Sequence, residues 1–190
     1  MGRPREFNEE KVIQRALHAF WRQGYVSTSI TDLLSATKLE RGSLYKAFGD
    51  KRSLYELALE EYLETGRRGM KEILESAESP LLGIELWLRQ VHESCSGAAG
   101  SPGCLAVGAM VEVATSDAAV RKRLVRHWSL VARRLQRALA KGQALGEVRD
   151  DVTAKELARW VIRSVAGIAV FARQGDRTNI ADTMLAMLRL

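Results

Sequence analysis

The sequence predicts an all-α protein of about nine helices, built as a three-helix head joined to a larger helical body. Apolar residues recur at helical spacing through most of the 190 residues. Side chains that favour helix N-caps precede many of these segments, and only three prolines leave few points where a helix must break. A hydrophobic share of 46% with 27% charged residues is typical of a folded globular protein.

Residues 1–50 predict three short helices and form the head. Asn8 is a good N-cap for a first helix that ends at Gly24, and Thr28 or Ser29 can cap a second. The third helix is anchored by three apolar residues, Leu39, Leu44 and Phe48. Two short helices around a tight turn are typical of a helix-turn-helix, so the head is predicted to be an N-terminal DNA-binding domain.

Residues 51–190 form the predicted C-terminal body. Gly49 and Asp50 supply a helix stop and a new cap, so a helix over about residues 51–76 is expected to link head and body. Further helices are expected from Pro80, over about 104–114, over about 118–141, from Thr153 to about Gln174, and from Thr178 or Asn179 onward.

Positive charge is concentrated in the head, whereas the basic residues of the body are largely interleaved with acidic ones. The net charge of +6 and the pI near 9.6 are compatible with an anionic partner. The basic residues within or just beside the head are Arg3, Arg5, Lys38, Arg41, Lys46, Lys51 and Arg52.

No group of residues in the sequence predicts catalysis. The histidines are scattered, no glycine-rich phosphate loop occurs, and no cluster has the spacing of metal ligands. We therefore expect no enzyme, no cofactor and no metal. No apolar run approaches the length of a membrane span, and the basic N-terminus lacks the apolar stretch of a secretory signal. A cytoplasmic protein without a membrane partner is expected.

The third helix carries the residues that point to DNA. Gly42 lies inside this short helix, where glycine costs about 1 kcal/mol relative to alanine, and a closely approaching DNA surface would explain it. Arg41 can bond guanine bidentately, and Ser43 can serve several bases. Tyr45 and Lys46 suit phosphate contacts, which position a helix without reading sequence.

Two helix ends and the N-terminus are further candidate DNA contacts. Lys51 lies in the first turn of the linking helix, where a cation opposes the helix dipole unless an anion such as phosphate binds there. Thr28 and Ser29 at the start of the second helix offer a comparable phosphate site. Arg3 and Arg5 can form an arm near the minor groove.

These residues carry a family resemblance. Gly24 and Tyr25, the stretch Thr28 to Ile30, Arg41 to Tyr45 and Phe48 to Lys51 together resemble the tetracycline-repressor-like (TetR/AcrR) family of bacterial transcriptional regulators. The resemblance implies a homodimer on a palindromic operator, which usually represses a gene until a small ligand binds the body. It also implies that the matching residues lie at or near DNA: Thr28, Ser29, Arg41, Gly42, Ser43, Tyr45, Lys46 and Lys51.

Two residues depart from the family pattern. Lys38 stands where the turn usually has glycine, and lysine can adopt the required backbone conformation at some cost while adding a phosphate contact. Glu40 stands where a small hydroxyl residue is usual, and it can accept a bond from cytosine N4 or point away from DNA. These departures affect which operator is bound rather than the class of protein.

The last two helices are candidates for the dimer interface. The helix from Thr153 is apolar around too much of its circumference for one exposed face, so packing against a second copy is expected, with burial in the protomer core as the alternative. The predicted interface residues are Leu157, Trp160, Val161, Ser164, Val165, Ile168, Ile180, Met184 and Leu188. A dimer would place two reading helices about 34 Å apart, one turn of DNA.

A ligand pocket is expected among the middle helices of the body. Its candidate lining residues are Trp87, Val91, Cys104, Leu105, Met110, Val113 and Trp128, each of which can equally be plain core. A largely apolar lining would favour a hydrophobic or aromatic effector.

The sequence leaves the type of switch open. Cys104 is expected at a helix N-terminus, where the dipole favours the thiolate, and Cys95 is close enough in sequence to act as its resolving partner. The main prediction is a ligand-released repressor. The alternatives are a redox- or electrophile-sensing regulator, a constitutive DNA-binding protein without an effector, and a helical protein-interaction module that retains a DNA-binding head.

Overall fold

The computed structural model describes residues 7–96, 102–176 and 178–189. Within these ranges the protein has nine helices and no strand, which confirms the predicted all-α class. The helices are α1 (Glu9–Gln23), α2 (Ile30–Thr37), α3 (Arg41–Phe48), α4 (Lys51–Ser76), α5 (Pro80–Ser96), α6 (Leu105–Glu112), α7 (Ala118–Ala144), α8 (Ala154–Arg173) and α9 (Ala181–Leu188). None of them is long and apolar enough to cross a membrane.

Local capping explains most helix starts. The Asn8 side chain accepts a hydrogen bond from the Lys11 backbone N–H at 2.9 Å. Thr153 and Glu156 form the predicted reciprocal capping box of α8. The start of α9 differs slightly from the prediction, because the helix begins at Ala181 and the Asn179 side chain accepts from the Ala181 N–H at 3.0 Å.

The apolar residues form two clusters, one beneath the head and one in the body. The head cluster does not stop at residue 50, because it includes the first half of α4, most of the buried face of α6 and the start of α7. Leu59, Ala109 and Leu124 are members of it and are almost fully buried. The head is therefore packed directly onto parts of the body, and the division of the chain into a domain of residues 1–50 and a domain of residues 51–190 stays a prediction.

The predicted dimer interface needs correction. Six of its residues face the core of their own protomer and are almost fully buried there: Leu157, Val161, Val165, Ile168, Met184 and Leu188. The physical reason is that α5 and α7 already cover this side of α8, and that α5 also packs against α9. Trp160, Ser164 and Ile180 are only partly buried. The outward face of α8 carries a different set of residues, including Val170 and Phe171, which are 44% and 59% exposed.

Candidate nucleic-acid interface and effector cavity

The turn between α2 and α3 has the geometry of a helix-turn-helix. Lys38 ends α2 in the left-handed conformation with φ of 61°, the one non-glycine residue of the described ranges with positive φ. Its backbone N–H donates to the Leu34 carbonyl at 2.9 Å. Lys38 thus adopts the predicted turn conformation, and its side chain is exposed.

One face of α3 is buried and the other is open to solvent. Leu44 is fully buried and Phe48 nearly so, and together they fix α3 to the head cluster. The opposite side exposes five of the predicted DNA-binding residues: Arg41, Gly42, Ser43, Tyr45 and Lys46. The helix thus presents two basic side chains, a hydroxyl and a partly exposed aromatic ring on one surface.

Gly42 has no packing partner that explains the missing side chain. A Cβ atom added there would meet nothing within 4 Å. The start of α3 is also open, because Glu40 occupies the N-cap position without a side-chain hydrogen bond to the helix. Neither feature helps the isolated protein, since glycine and an uncapped start both disfavour a helix.

Thr28 does not have the exposed side chain that a DNA contact requires. It is fully buried, and its hydroxyl donates to the Gly24 carbonyl at 2.6 Å. Ser29 is exposed, but its hydroxyl and backbone N–H both donate to the Asp32 carboxylate, at 2.6 and 2.8 Å. These bonds hold the pKa of Asp32 below its ordinary value. The start of α2 therefore already holds a negative charge beside Ser29, and a phosphate contact of Ser29 stays a prediction.

Lys51 is held within the protein. Its ammonium lies 4.5 Å from the centre of the Tyr25 ring and donates to the Val26 carbonyl at 3.5 Å. Partial burial lowers the pKa of Lys51. Asp50 caps the same helix, accepting from the Ser53 N–H at 2.6 Å. The Tyr25 ring and the Asp50 carboxylate thus offset much of the unfavourable interaction between Lys51 and the helix dipole.

Arg3 and Arg5 lie outside the described residues, so the structure does not address the predicted arm.

A cavity of about 370 Å³ lies between the head and the body. Four of the seven predicted pocket residues line it: Trp87, Val91, Cys104 and Trp128. Trp21 of α1 and Tyr62 of α4 add two aromatic walls that the sequence analysis missed. Their periodicity identifies them only as apolar positions of helices, and no local pattern shows that two such distant helices meet at one cavity.

Three predicted pocket residues lie elsewhere. Leu105 and Val113 are buried in the head cluster, because the inner face of α6 packs against α4 and the head. Met110 is 45% exposed and lines a separate open groove between α6, α7 and α8. The groove also contains Trp128, which therefore separates it from the cavity.

The described lining of the cavity contains no Asp, Glu, Lys or Arg. Its buried histidine, His127, has a pKa lowered to about 4, first by burial and then by the nearby Arg67 guanidinium. His127 is thus neutral at physiological pH. Two glycines of α4, Gly66 and Gly69, also line the cavity, and a Cβ added at either would meet nothing within 4 Å.

Both cysteines contribute to the cavity wall and are free thiols. The Tyr62 hydroxyl donates to the Cys104 sulfur at 3.4 Å. Cys104 is the N-cap residue of α6, close to its predicted position. Cys95 is buried, and this burial raises its pKa to about 12, so its thiolate is strongly disfavoured.

Hydrogen bonds connect the cavity wall to the head. The Trp21 indole donates to the Gly103 carbonyl at 2.7 Å, next to Cys104. Arg52 at the start of α4 pairs with Asp117 at 2.7 Å, and Asp117 also caps α7. The residue before α6 is thus bonded to α1, and the cap of α7 is bonded to the start of α4.

Both the helix-turn-helix and the helical body match protein families that are already known. Residues 12–58 match the family model for bacterial regulatory proteins, tetR family. Residues 84–187, more than half of the chain, match the model for the tetracyclin repressor-like C-terminal domain. The chain belongs to the TetR family of bacterial transcriptional regulators. The resemblance seen in the sequence is thereby confirmed.

Individual relatives extend along almost the whole chain. It is 25% identical over 175 residues to the HTH-type transcriptional repressor ComR of Escherichia coli, covering 92% of this chain and 83% of ComR. It is 28% identical over 188 residues to the HTH-type transcriptional regulator YezE of Bacillus subtilis, covering 96% and 95%. Among solved structures, a cysteine mutant of the TetR family regulator CifR, complexed with 26-base-pair operator DNA, matches with a TM-score of 0.84 and 29% identity, covering 98% and 100%.

Proposed function

We propose that this protein binds an operator sequence through the exposed face of α3 and regulates transcription from it. The observation that carries the proposal is the division of α3 into a buried face, anchored by Leu44, and an open basic face around Gly42. The CifR mutant with a similar fold is complexed with operator DNA, and ComR is a transcriptional repressor, which supports the same role here.

Each exposed residue of α3 has a distinct proposed role. Arg41 reads a guanine and Ser43 contacts a neighbouring base, while Gly42 lets the helix approach the base edges. Tyr45 and Lys46 bind phosphates and fix the position of the helix.

Residues around α3 add further contacts. Lys38 adds a phosphate contact from the turn. Lys51 adds a phosphate contact from the start of α4, once phosphate displaces the Val26 carbonyl as the acceptor of its ammonium group. Arg3 and Arg5 add minor-groove contacts.

Selection from a random duplex pool, followed by footprinting, tests this role. Arg41→Ala is expected to relax base preference at one operator position, with a discrimination loss of about 1–3 kcal/mol. Lys46→Ala should weaken binding to all sequences and reduce the salt slope by about one. Arg137→Ala, an exposed arginine of α7, is the matched control. Selection of no preferred sequence by the wild-type protein would refute the proposal.

We further propose that the active form is a homodimer that uses the outward faces of α8 and α9. Trp160, Val170 and Phe171 of α8 and Met187 of α9 present apolar surface to solvent in the single chain. Exposed apolar patches of this kind are typical of protein interfaces. Two copies joined there would carry their reading helices to adjacent half-sites of a palindrome.

The cavity supports an uncharged aromatic effector. Aromatic side chains from four helices surround it, and its described lining contains no acidic or basic side chain apart from histidine, with His127 neutral. Burial of a charged ligand there would leave that charge unpaired, at a large desolvation cost. Ligand binding is proposed to shift Trp21 and α6, alter the head and release the operator.

A charge series of naphthalene compounds tests the effector chemistry. Binding is followed by the quenching of fluorescence from the tryptophans that line the cavity. Uncharged 2-naphthol is expected to bind more tightly than 2-naphthoate or 2-naphthylmethylammonium. Gly69→Leu fills open space at the cavity wall and should remove this binding, whereas Glu72→Leu on the exposed side of α4 should not. Equal binding of all three compounds, or binding unaffected by Gly69→Leu, would contradict an uncharged site.

A second candidate is sensing through thiols, since Cys104 and Cys95 line the same cavity. The raised pKa of Cys95 makes it a poor resolving thiol, which favours Cys104 as the reactive one. Mass spectrometry after mild peroxide treatment separates the candidates: unmodified thiols together with persistent DNA binding would eliminate the switch.

A further inference from the structure

We propose that Glu112 is a positioning residue that fixes the orientation of the DNA-reading head on the body. It acts by holding the turn between α1 and α2 from the end of α6. The inference rests on the proposed function, because a fixed orientation matters only if two heads must match two operator half-sites.

The first contact is a hydrogen bond between distant parts of the chain. The Glu112 Oε2 atom accepts from the Tyr25 backbone N–H at 2.9 Å, across 87 positions of sequence. Tyr25 follows the last turn of α1 and leads within four residues to Ser29, the N-cap of α2. A bond from a backbone N–H to a carboxylate is stronger than one between neutral groups. Glu112 therefore holds the backbone from which the helix-turn-helix begins.

The second observation is the close approach of the Glu112 carboxylate to the backbone at Gly24. A Cβ atom added to Gly24 would lie 2.4 Å from Glu112 Oε1 and 2.6 Å from Oε2, far inside van der Waals contact. Gly24 also has a φ of 83°, so both the nearby carboxylate and the backbone conformation favour glycine there. The absent side chain is what allows the carboxylate to reach the Tyr25 N–H.

The third observation is an ion pair that joins the same carboxylate to α8. The Arg173 guanidinium lies 3.8 Å from Glu112 Oε1, and its side chain packs over Gly103, where an added Cβ would lie 2.8 Å from it. Gly103 in turn accepts the indole hydrogen bond of Trp21. Arg173 at the end of α8 thus contacts both Gly103, just before α6, and Glu112, the last residue of α6. Each of these two residues is in turn hydrogen-bonded to the end of α1 or to the turn after it. Since α8 also carries the proposed dimer face, the contact relates the head to the partner subunit.

A loosened head should affect operators with two half-sites more than a single half-site. A single half-site requires only an intact α3, whereas a palindrome also requires both heads to be held at the correct separation. Loss of one charge-assisted hydrogen bond per protomer is expected to weaken palindrome binding by about tenfold. Half-site binding should stay within about twofold of the wild type, because α3 lies away from Glu112.

The test compares three variants of the full chain. Glu112→Ala removes the acceptor, and Glu112→Gln keeps an amide oxygen that can accept from Tyr25. Glu147→Ala is the matched control, because Glu147 Oε2 also accepts a distant backbone N–H, from Leu81 at 3.0 Å, but within the body. Affinities are measured by fluorescence anisotropy on the selected palindrome, on one half-site and on a palindrome with one added central base pair. Hydrogen exchange is measured on the segment 20–30.

Glu112→Ala is expected to exchange faster over residues 20–30, to lose palindrome affinity and to tolerate the added base pair better than the wild type. Glu112→Gln should restore part of the lost affinity, because its amide oxygen accepts the same bond without the charge, and Glu147→Ala should behave like the wild type in all three DNA measurements. Wild-type exchange in Glu112→Ala, or an unchanged ratio of palindrome to half-site affinity, would overturn the inference. A wild-type protein that binds no selected DNA would instead refute the proposed function, and the exchange comparison would still decide whether Glu112 holds the turn.

Discussion

Acidification is expected to destabilise the protein through the buried histidine of the cavity wall. His127 is 7% exposed, and burial is the main cause that lowers its pKa from 6.5 to about 4. Between these values the unfolded chain binds a proton that the folded protein excludes, so stability rises with pH across this range. The contribution of neutral His127 is fully present above pH 6.5 and is lost as the pH falls towards 4.

The size of the effect follows from the two pKa values. At about pH 5, His127 is almost fully protonated in the unfolded chain but only about one-tenth protonated in the folded protein, a free-energy difference of about 2 kcal/mol. Such a loss is a large fraction of the stability of a typical domain. Electrostatic repulsion from Arg67, whose guanidinium lies 3.4 Å from His127 Nδ1, acts in the same direction as burial.

Urea unfolding followed by circular dichroism, at about pH 7.5 and about pH 5, measures the loss. His127→Gln keeps a polar group near Arg67 but does not titrate, so its stability should fall less on acidification, by the same ~2 kcal/mol. Protein concentration must be equal in all samples because a dimer links stability to concentration. Identical pH dependence in the wild type and His127→Gln would refute the reasoning.

Two other substitutions separate stability from function. Gly42→Ala should raise the stability of the free protein by up to about 1 kcal/mol, because its Cβ meets open space, yet weaken operator binding by steric contact with DNA. Thermal unfolding measures the expected gain in stability, and fluorescence anisotropy measures the expected loss of operator affinity. Unchanged operator affinity would argue against a close approach of DNA at this position. Phe171→Glu should give a folded monomer, because Phe171 is 59% exposed in the single chain, and a persistent dimer in analytical ultracentrifugation would exclude α8 as the interface.

Local features of the fold could be predicted from the sequence because their causes are local. The capping box at Thr153 depends on a residue three positions away, and the αL conformation of Lys38 follows from the spacing of a helix-turn-helix. The exposed face of α3 was predictable for the same reason, since the positions of Leu44 and Phe48 determine which side is buried.

Features that depend on packing between distant helices could not be predicted in the same way. The apolar residues of α8 occupy several sides of the helix, and periodicity alone does not distinguish the protomer core from a partner. The prediction that the inner face of α8 forms the dimer interface is wrong for this reason. The role of Glu112 depends on Tyr25, which lies 87 positions away, and such a relation leaves no pattern in a single sequence.

The continuity of the head cluster with α6 and α7 limits how this regulator can be recombined with others. A chimera that joins residues 1–50 to the body of another regulator would bring together apolar surfaces that did not evolve in contact, around Leu59, Ala109 and Leu124. A foreign body with different side chains at these positions would leave cavities or overlaps of the kind that destabilise cores. Exchange of operator specificity is therefore better achieved by grafting the solvent-facing residues of α3 alone, which leaves every buried contact of the recipient intact.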